Sequence, residues 1–177
     1  MENLLNENVV EKVITGRIIL NRPNLFCPKV LYDNSEPKYS TIVIIPKEDV
    51  ETIKKIKTAI NNAIENGKNK FGEDVEYSTL KLPLRNGDES SDDIMYSNSY
   101  FLNASSVYKP GVVNHKNEDV LFTDVYNGQY GRVSISFHPF NVKGCKGISC
   151  RLHNVQLLKD RFDPRKYMSS PQDDFRE

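Results

Sequence analysis

The chain has 177 residues, of which 38% are hydrophobic and 27% are charged, and its formal net charge is zero. This composition fits one compact domain and excludes a chain that is disordered throughout. No apolar run approaches the ~20 residues that span a bilayer, and residues 1–8 lack the features of a secretory signal, so we expect a soluble, cytoplasmic protein.

The 24 basic and 24 acidic residues are unevenly distributed along the chain. Residues 12–32 and 126–159 contain no Asp or Glu. The basic residues in these two segments are Lys12, Arg17, Arg22, Lys29, Arg132, Lys143, Lys146, Arg151 and Lys159. Because nucleic-acid backbones are bound through Lys and Arg, a chain with this distribution can present a basic binding face although its net charge is zero.

Cys27, Cys145 and Cys150 are the three cysteines, and they include no CxxC pair. An odd number without metal-ligand spacing argues against both a disulfide framework and a structural zinc site. We therefore expect reduced thiols, no metal and no cofactor.

The first predicted strand is Val13 to Leu20, which is rich in aliphatic and β-branched residues. Its alternation places Ile14, Ile18 and Leu20 on an apolar face, with Thr15 and Arg17 on the other. Asn21 to Pro37 contains three prolines and predicts an irregular connection. Lys38 to Ile45 predicts a second strand, which Pro46 ends.

Glu48 to Gly67 predicts an amphipathic helix. The apolar residues that recur at three- and four-residue steps are Val50, Ile53, Ile56, Ile60 and Ile64. Acidic residues at its start and a glycine at its end suit the helix dipole. We interpret the apolar stripe as facing the core of the protein.

The middle of the chain gives weaker signals. Tyr77 to Arg85 is a weak apolar segment, and Asn86 to Ser99 predicts a polar, acidic loop. Tyr100 to Ser106 predicts a strand. One face carries Tyr100, Leu102 and Ala104, and the other carries Phe101, Asn103 and Ser105.

The clearest β signal lies near the C-terminus. Tyr130 to Phe140 alternates strictly between apolar and polar residues, Lys143 to Gly147 predicts a turn, and Ile148 to His153 alternates again. The sequence therefore predicts a β-hairpin with one apolar and one basic side. The basic side carries Arg132 and Arg151, and Arg17 falls on the corresponding side of the first strand.

Several short strands with one helix predict an α+β fold that is mainly β. We expect an OB-fold-like small β-barrel with one inserted amphipathic helix and a C-terminal β-hairpin. Residues 1–160 are assigned to this domain, and residues 161–177 to a mobile, acidic C-terminal tail.

Aromatic residues that neighbour the basic positions predict a groove for single-stranded nucleic acid. Rings stack on bases of any sequence, at about 1–3 kcal/mol per base, while Lys and Arg follow the phosphates. The predicted contact residues are Arg17, Lys38, Tyr39, Phe101, Tyr108, Lys109, Tyr126, Tyr130, Arg132, Lys146 and Arg151.

Two alternatives remain open at this point. The first is a Mg²⁺-dependent nuclease, since carboxylates can hold the ion beside substrate phosphates. Its ligands would be Asp88, Glu89, Asp92 and Asp93. The second is an OB module that binds RNA or recruits proteins. His115, His138 and His153 show no catalytic spacing, and we expect a protein without enzymatic activity.

Several sequence strings, in order, resemble the phage single-stranded DNA-binding protein family that was once catalogued as a domain of unknown function. They are EPKYSTIVIIPKEDVETIKKIKTAI, LKLPLRNGDE, YFLNASS followed by KPGVV, and DVYNGQYGRVSISFHPFNVKGCKGISCRLHNVQLLKD. The resemblance covers Thr15 to Asp160. It implies an OB-fold, sequence-independent binding of single-stranded DNA, and a role in phage replication or recombination inside the host cell. It also implies a signature strand with Tyr126, Tyr130, Gly131 and Arg132, and a hairpin with Lys146 and Gly147.

The C-terminal residues Asp173, Asp174 and Phe175 are similar to the acidic, aromatic-tipped tails by which many such proteins recruit replication partners. Here Arg176 and Glu177 follow the phenylalanine, whereas tails of that kind usually end on it. We therefore expect either partner binding through the tail or a solvated, disordered segment.

Overall fold

The computed structural model describes residues 11–176. The strands are β1 (Val13–Ile14), β2 (Ile18–Lys29), β3 (Lys38–Pro46), β4 (Arg85–Asn86), β5 (Ser99–Ser106), β6 (Gly111–Val113), β7 (Gln129–Val142) and β8 (Cys145–Arg161). The helices are α1 (Val50–Asn66), α2 (Lys68–Phe71), α3 (Gly87–Ser90) and α4 (Pro171–Asp174), and 3₁₀ turns cover Tyr77–Thr79, Ile94–Tyr96, Phe122–Asp124 and Pro164–Tyr167. Within residues 11–176, the structure contains no helix that is both long and apolar enough to cross a membrane.

Five of the strands are paired in a closed circuit. β2 pairs with β3, β3 with β5, β5 with β8, β8 with β7, and β7 with β2. All of these pairings are antiparallel except that of β5 with β8, which is parallel. The predicted OB-like arrangement of a mainly β chain is confirmed.

The core lies between this circuit and α1. Apolar side chains from all five strands fill it, and α1 contributes Ile53, Ile56 and Ile60. The Asp49 side chain caps α1 by accepting a hydrogen bond from the backbone N–H of Thr52. The helix therefore starts two residues later than predicted, and Val50, which we expected in the apolar stripe, is exposed because it lies in the first turn.

The first predicted strand is broken in two. β1 pairs with β7, and the chain bends at Gly16 and Arg17 before β2 begins. The bend reverses the alternation, so Ile14 is exposed and Thr15 is buried. Thr15 becomes a hydrogen-bonding residue of the interior, where its hydroxyl accepts the N–H of Val133 at 3.1 Å. The prediction that Ile14 faces inward with Ile18 was therefore wrong.

The connection predicted for Asn21 to Pro37 is mostly strand. β2 continues to Lys29, and its register against β3 shifts between Asn21 and Asn24 and again between Asn24 and Lys29. The prolines are accommodated at these irregularities, where a strand tolerates a missing N–H.

The predicted loop from Asn86 to Ser99 is also structured. β4 pairs with β5, and the segment from Arg85 to Tyr96 lies over the outer surface of β3 and β5. We call this stretch the covering segment. Tyr96 packs there with Ile44 and Phe101 in a second, smaller apolar cluster.

The C-terminal hairpin is confirmed, with a shorter turn than predicted. Only Lys143 and Gly144 lie between β7 and β8, and both have positive φ, 50° and 82°. This is the backbone geometry of a tight two-residue hairpin turn. β8 continues to Arg161, so it is much longer than the predicted second strand of the hairpin.

Candidate nucleic-acid interface

Polar side chains lie side by side across four neighbouring strands on the outer surface of the barrel. Asn24 in β2 lies opposite Ser40 in β3, and Ser40 lies opposite Ser105 in β5. Ser105 in turn lies beside Arg151 in β8. The Asn24 side-chain amide donates a hydrogen bond to the Ser40 hydroxyl at 3.4 Å. We call these four residues the polar row; they offer hydrogen bonds and one exposed guanidinium.

An open cleft of about 410 Å³ lies at the β2 end of the polar row. It is lined by Arg22, Pro23, Asn24, Lys29, Val125, Tyr126 and Asn127. Asn24 belongs to both features, so the cleft and the row form one continuous surface. Of the described residues that line it, two are cationic and none is a carboxylate. We call it the Tyr126 cleft.

The backbone at Arg22 is held in an unusual conformation beside this cleft. Its φ is 49°, which is uncommon for a residue with a Cβ. The Arg22 N–H donates to the Asn127 side-chain carbonyl at 2.6 Å, and the Gly128 N–H donates to the Leu20 carbonyl at 2.8 Å. These bonds join the chain before β7 to the irregular part of β2 and fix both walls of the cleft.

Three cation–ring contacts lie at this end and along the neighbouring strands. The Arg161 guanidinium lies 5.6 Å from the centre of the Tyr126 ring, and the Lys109 ammonium lies 4.9 Å from that of Phe26. The Arg17 guanidinium lies 4.4 Å from the centre of the Tyr130 ring. Such pairs place positive charge beside flat apolar surface, the combination that single strands require.

Several predicted contact residues gather near the cleft. Lys38 lies opposite Lys29 at the end of the β2–β3 pair, and Tyr39 lies opposite Ser106 at the end of β5. Tyr108 and Lys109 follow directly, and the Tyr108 ring is exposed. These residues and the cleft occupy the same end of the barrel.

Arg132 lies apart from Arg151 and the rest of the polar row. Arg132 lies opposite Gln156, whereas Arg151 lies opposite Ser136, so the two arginines are four positions apart along β7, on the order of 13 Å. The Arg132 side chain donates to the Thr15 carbonyl at 3.0 Å. The hairpin therefore does not bring Arg132 and Arg151 into one cluster.

Phe101 and Lys146, both in the predicted contact set, contact other parts of the chain in the structure. Phe101 is only 7% exposed, with the Tyr96 ring edge-on at 5.0 Å and the Arg85 guanidinium at 4.5 Å, because the covering segment closes over it. Lys146 donates its ammonium hydrogen bond to the Phe71 carbonyl at the end of α2. Both side chains are therefore engaged in contacts within the protein.

Sequence reasoning left Phe26, Arg22, Lys29 and Arg161 out of the contact set. Arg22 and Lys29 do lie in the first acid-free segment, which was the available signal. No local pattern could have found the pairing of Phe26 with Lys109 or of Tyr126 with Arg161, because each pair joins distant parts of the chain.

Three of the four acidic residues considered for a metal site, Asp88, Glu89 and Asp93, form local hydrogen bonds. Asp88 accepts a hydrogen bond from Lys47 at 2.6 Å and one from the Asn98 N–H at 2.8 Å, and the Lys47 bond holds the pKa of Asp88 below its usual range. Glu89 accepts from Asn86 at 2.9 Å, and Asp93 caps the turn at Ile94–Tyr96. Nowhere in residues 11–176 do three His, Cys, Asp or Glu side chains converge as metal ligands. This arrangement gives no support to the nuclease hypothesis.

Two histidines share one buried hydroxyl on the outer face of β7 and β8. The Ser136 Oγ lies 2.7 Å from His138 Nε2 and 2.7 Å from His153 Nε2. Burial, followed by the nearby Arg151 charge, lowers the pKa of His138. Burial, followed by Lys12, lowers the pKa of His153.

After β8 the chain forms two short helical turns. Ser170 caps α4 by accepting from the Asp173 N–H, and Arg176 pairs with Asp173 at 3.1 Å. The Phe175 ring is 82% exposed. The tail residues predicted to bind partners are therefore on the surface, with one of the two acids paired within the tail.

Comparison with known proteins gives concordant matches. Residues 11–177 match the profile of a family described as Enterobacter phage Enc34, ssDNA-binding protein. Protein p50 of Acyrthosiphon pisum secondary endosymbiont phage 1 is 30% identical over 156 residues, which cover 84% of each chain.

Solved structures show the same architecture. The single-stranded DNA-binding protein of bacteriophage Enc34, solved in complex with ssDNA, matches with a TM-score of 0.72 and 26% identity over 86% of this chain and 87% of that one. The bacteriophage T7 single-stranded DNA-binding protein gp2.5 matches with a TM-score of 0.62 over 90% of this chain and 98% of that one. At 13% identity, the second match concerns the fold alone.

Proposed function

This chain belongs to the family of the Enterobacter phage Enc34 ssDNA-binding protein, and we propose that it coats single-stranded DNA, without sequence preference, during phage replication or recombination. The observation that carries the proposal is the continuous surface made by the Tyr126 cleft and the polar row, with aromatic and cationic residues at its edge. A protein of this kind acts in the cytoplasm of the infected host cell.

The proposed contacts combine stacking with phosphate binding. Rings along the surface stack on bases, and cations beside them neutralise phosphates. We assign these contacts to Arg17, Lys38, Tyr39, Tyr108, Lys109, Tyr126, Tyr130 and Arg151. Phe101, Arg132 and Lys146 are left out because other parts of the chain occupy their side chains.

The family's role is binding, and we propose that this chain has no catalytic activity. The acids of the covering segment support this reading, because they cap turns and pair with Lys47 instead of converging on one point. The backbone of a bound strand would meet hydrogen-bond donors and cations on the polar row, which hold phosphates without cleaving them.

The tail is proposed to recruit replication or recombination proteins through Asp173, Asp174 and Phe175. The exposed Phe175 ring supports this, because a large apolar side chain beside acidic residues can anchor in a partner's pocket. Arg176 lowers the negative charge of this patch through its ion pair with Asp173.

Fluorescence anisotropy with labelled oligonucleotides tests the main proposal. We expect salt-sensitive binding, with a log–log slope near −0.7 for each phosphate neutralised, and intact oligonucleotide afterwards with Mg²⁺ present. Matched RNA strands are the competitor that tests the RNA-binding alternative. Cleavage that a chelator abolishes, or binding that salt does not weaken, would contradict the proposal.

A further inference from the structure

The Tyr126 cleft has the features of a subsite for one unit of a polymer. We propose that it holds a single nucleotide of the bound strand, with the base stacked on Tyr126 and the adjoining phosphates on Arg22 and Lys29. This rests on the proposed function, because it assigns a place and a role within the DNA-binding surface.

The Tyr126 ring is positioned for stacking. Tyr126 is 39% exposed and lines the cleft, and the Arg161 guanidinium lies 5.6 Å from the centre of its ring. The Tyr126 N–H donates to the Gln129 side-chain carbonyl at 3.4 Å, which tethers the backbone there. Pro23 and Val125 supply the remaining apolar wall. A partly exposed aromatic ring that lines the cleft offers a flat surface on which a base can stack.

The cations of the cleft form no ion pair with any residue in the described range 11–176. Lys29 lies directly opposite Lys38, and like charges facing each other across a strand pair are unfavourable unless an anion lies between them. The ion pairs found within residues 11–176 involve neither of these lysines nor Arg22. A phosphate would relieve this repulsion.

The backbone around Arg22 places its guanidinium at the cleft. The register shift in β2 and the positive φ at Arg22 redirect the side chain relative to a regular strand. Strained backbone of this kind persists only where the surrounding contacts impose it, and here the Asn127 hydrogen bond does so.

The cleft has the size of a ligand site and an exit toward the rest of the surface. Its volume of about 410 Å³ falls within the roughly 300–1,000 Å³ that small-molecule sites occupy. Asn24 joins it to Ser40 and the polar row. The neighbouring nucleotide therefore has a polar path toward Arg151.

Because the chain contains no tryptophan, Tyr126→Trp introduces a single fluorescent reporter at the cleft. We expect its emission to be quenched by oligodeoxythymidylate in proportion to the bound fraction measured by anisotropy. Tyr77→Trp is the matched control, since Tyr77 is an exposed ring on the 3₁₀ turn that precedes β4 and does not line the cleft. Unchanged Tyr126→Trp emission at saturating oligonucleotide would overturn the subsite.

Affinity measurements separate this inference from the proposed function. Tyr126→Ala should weaken binding roughly tenfold, and Arg22→Asn should make the salt slope shallower by about 0.7, with Tyr77→Ala unchanged. If the unaltered protein binds and both cleft variants match it, the subsite is wrong while the proposed function stands. If the unaltered protein does not bind, the proposed function itself fails.

Discussion

Arg22 combines an unfavourable backbone conformation with a side chain at the proposed binding surface. A left-handed residue with a Cβ costs about 1–2 kcal/mol, and glycine avoids that cost. Arg22→Gly should therefore raise the free energy of unfolding by up to about 1 kcal/mol while it weakens DNA binding. Urea unfolding and anisotropy measure the two effects.

The control for this substitution is Lys143→Gly in the hairpin turn, where φ is 50°. It should stabilise the protein to a similar extent and leave DNA affinity unchanged, because Lys143 lies outside the cleft. A loss of stability in Arg22→Gly would mean that the Arg22 side chain supports the fold, which contradicts the strain argument.

His138 and His153 make the stability of the fold depend on pH. Both pKa values are lowered from the ordinary 6.5, chiefly by burial, so the unfolded chain binds protons more readily than the folded one. The unfolding free energy should therefore be highest above pH 6.5 and should fall as the pH drops through 6.5 toward the folded-state pKa values.

Urea unfolding across a pH series measures this effect. The double variant His138→Gln and His153→Gln should show a flatter profile in this window, with His115→Gln, whose ring is exposed, as the control. A double variant that loses stability on acidification as steeply as the unaltered protein would contradict the assignment.

At the scale of secondary-structure elements, the covering segment determines whether the Phe101 ring is buried or exposed to DNA. The ring packs against Tyr96 and Arg85, so we expect it to stabilise the segment instead of stacking on DNA. Phe101→Ala should cost about 3 kcal/mol of unfolding free energy, and the folded protein should keep its DNA affinity. Denaturant unfolding and anisotropy test the pair of outcomes. A variant of normal stability and weakened binding would restore Phe101 to the interface.

The secondary-structure elements also show which parts of the fold could be predicted from sequence patterns. Helix α1 and the β7–β8 hairpin were predicted because their periodicity is local and regular. The predicted first strand ended at Leu20, because prolines normally end strands. In the structure, β2 continues past Pro23 and Pro28 because its register against β3 is irregular there. The covering segment was missed because its few apolar residues pack on Ile44 and Phe101, which are distant in sequence, a contact that local alternation cannot reveal.

The site was less predictable than the fold for the same reason. Acid-free segments pointed to strands on which cations and rings do meet, as Arg17 and Tyr130 show. The charge pattern could not show that Arg132 and Lys146 are hydrogen-bonded to backbone carbonyls elsewhere in the barrel. It also could not show that Tyr126 meets β2, since the Arg22–Asn127 hydrogen bond joins residues far apart in sequence.

At the scale of the whole molecule, a net charge of zero is compatible with binding a polyanion because the charges are separated. The charged residues that line the cleft are both cations, while acids such as Asp88 lie in the covering segment and Glu51 lies on α1. Net charge governs long-range repulsion between molecules, whereas local charge governs contact with phosphates.

The barrel circuit has two short junctions, β5–β8 with two registered residue pairs and β2–β7 with three. β5 and β8 share two registered residue pairs, Ala104 with Cys150 and Ser105 with Arg151, whereas β3 and β5 share eight. A ladder with so few bonds is where the wall of the barrel opens at the lowest cost. A nucleic-acid strand that lies along the polar row crosses the β5–β8 junction. We therefore expect bound DNA to hold β5 and β8 together at the point where their ladder is shortest.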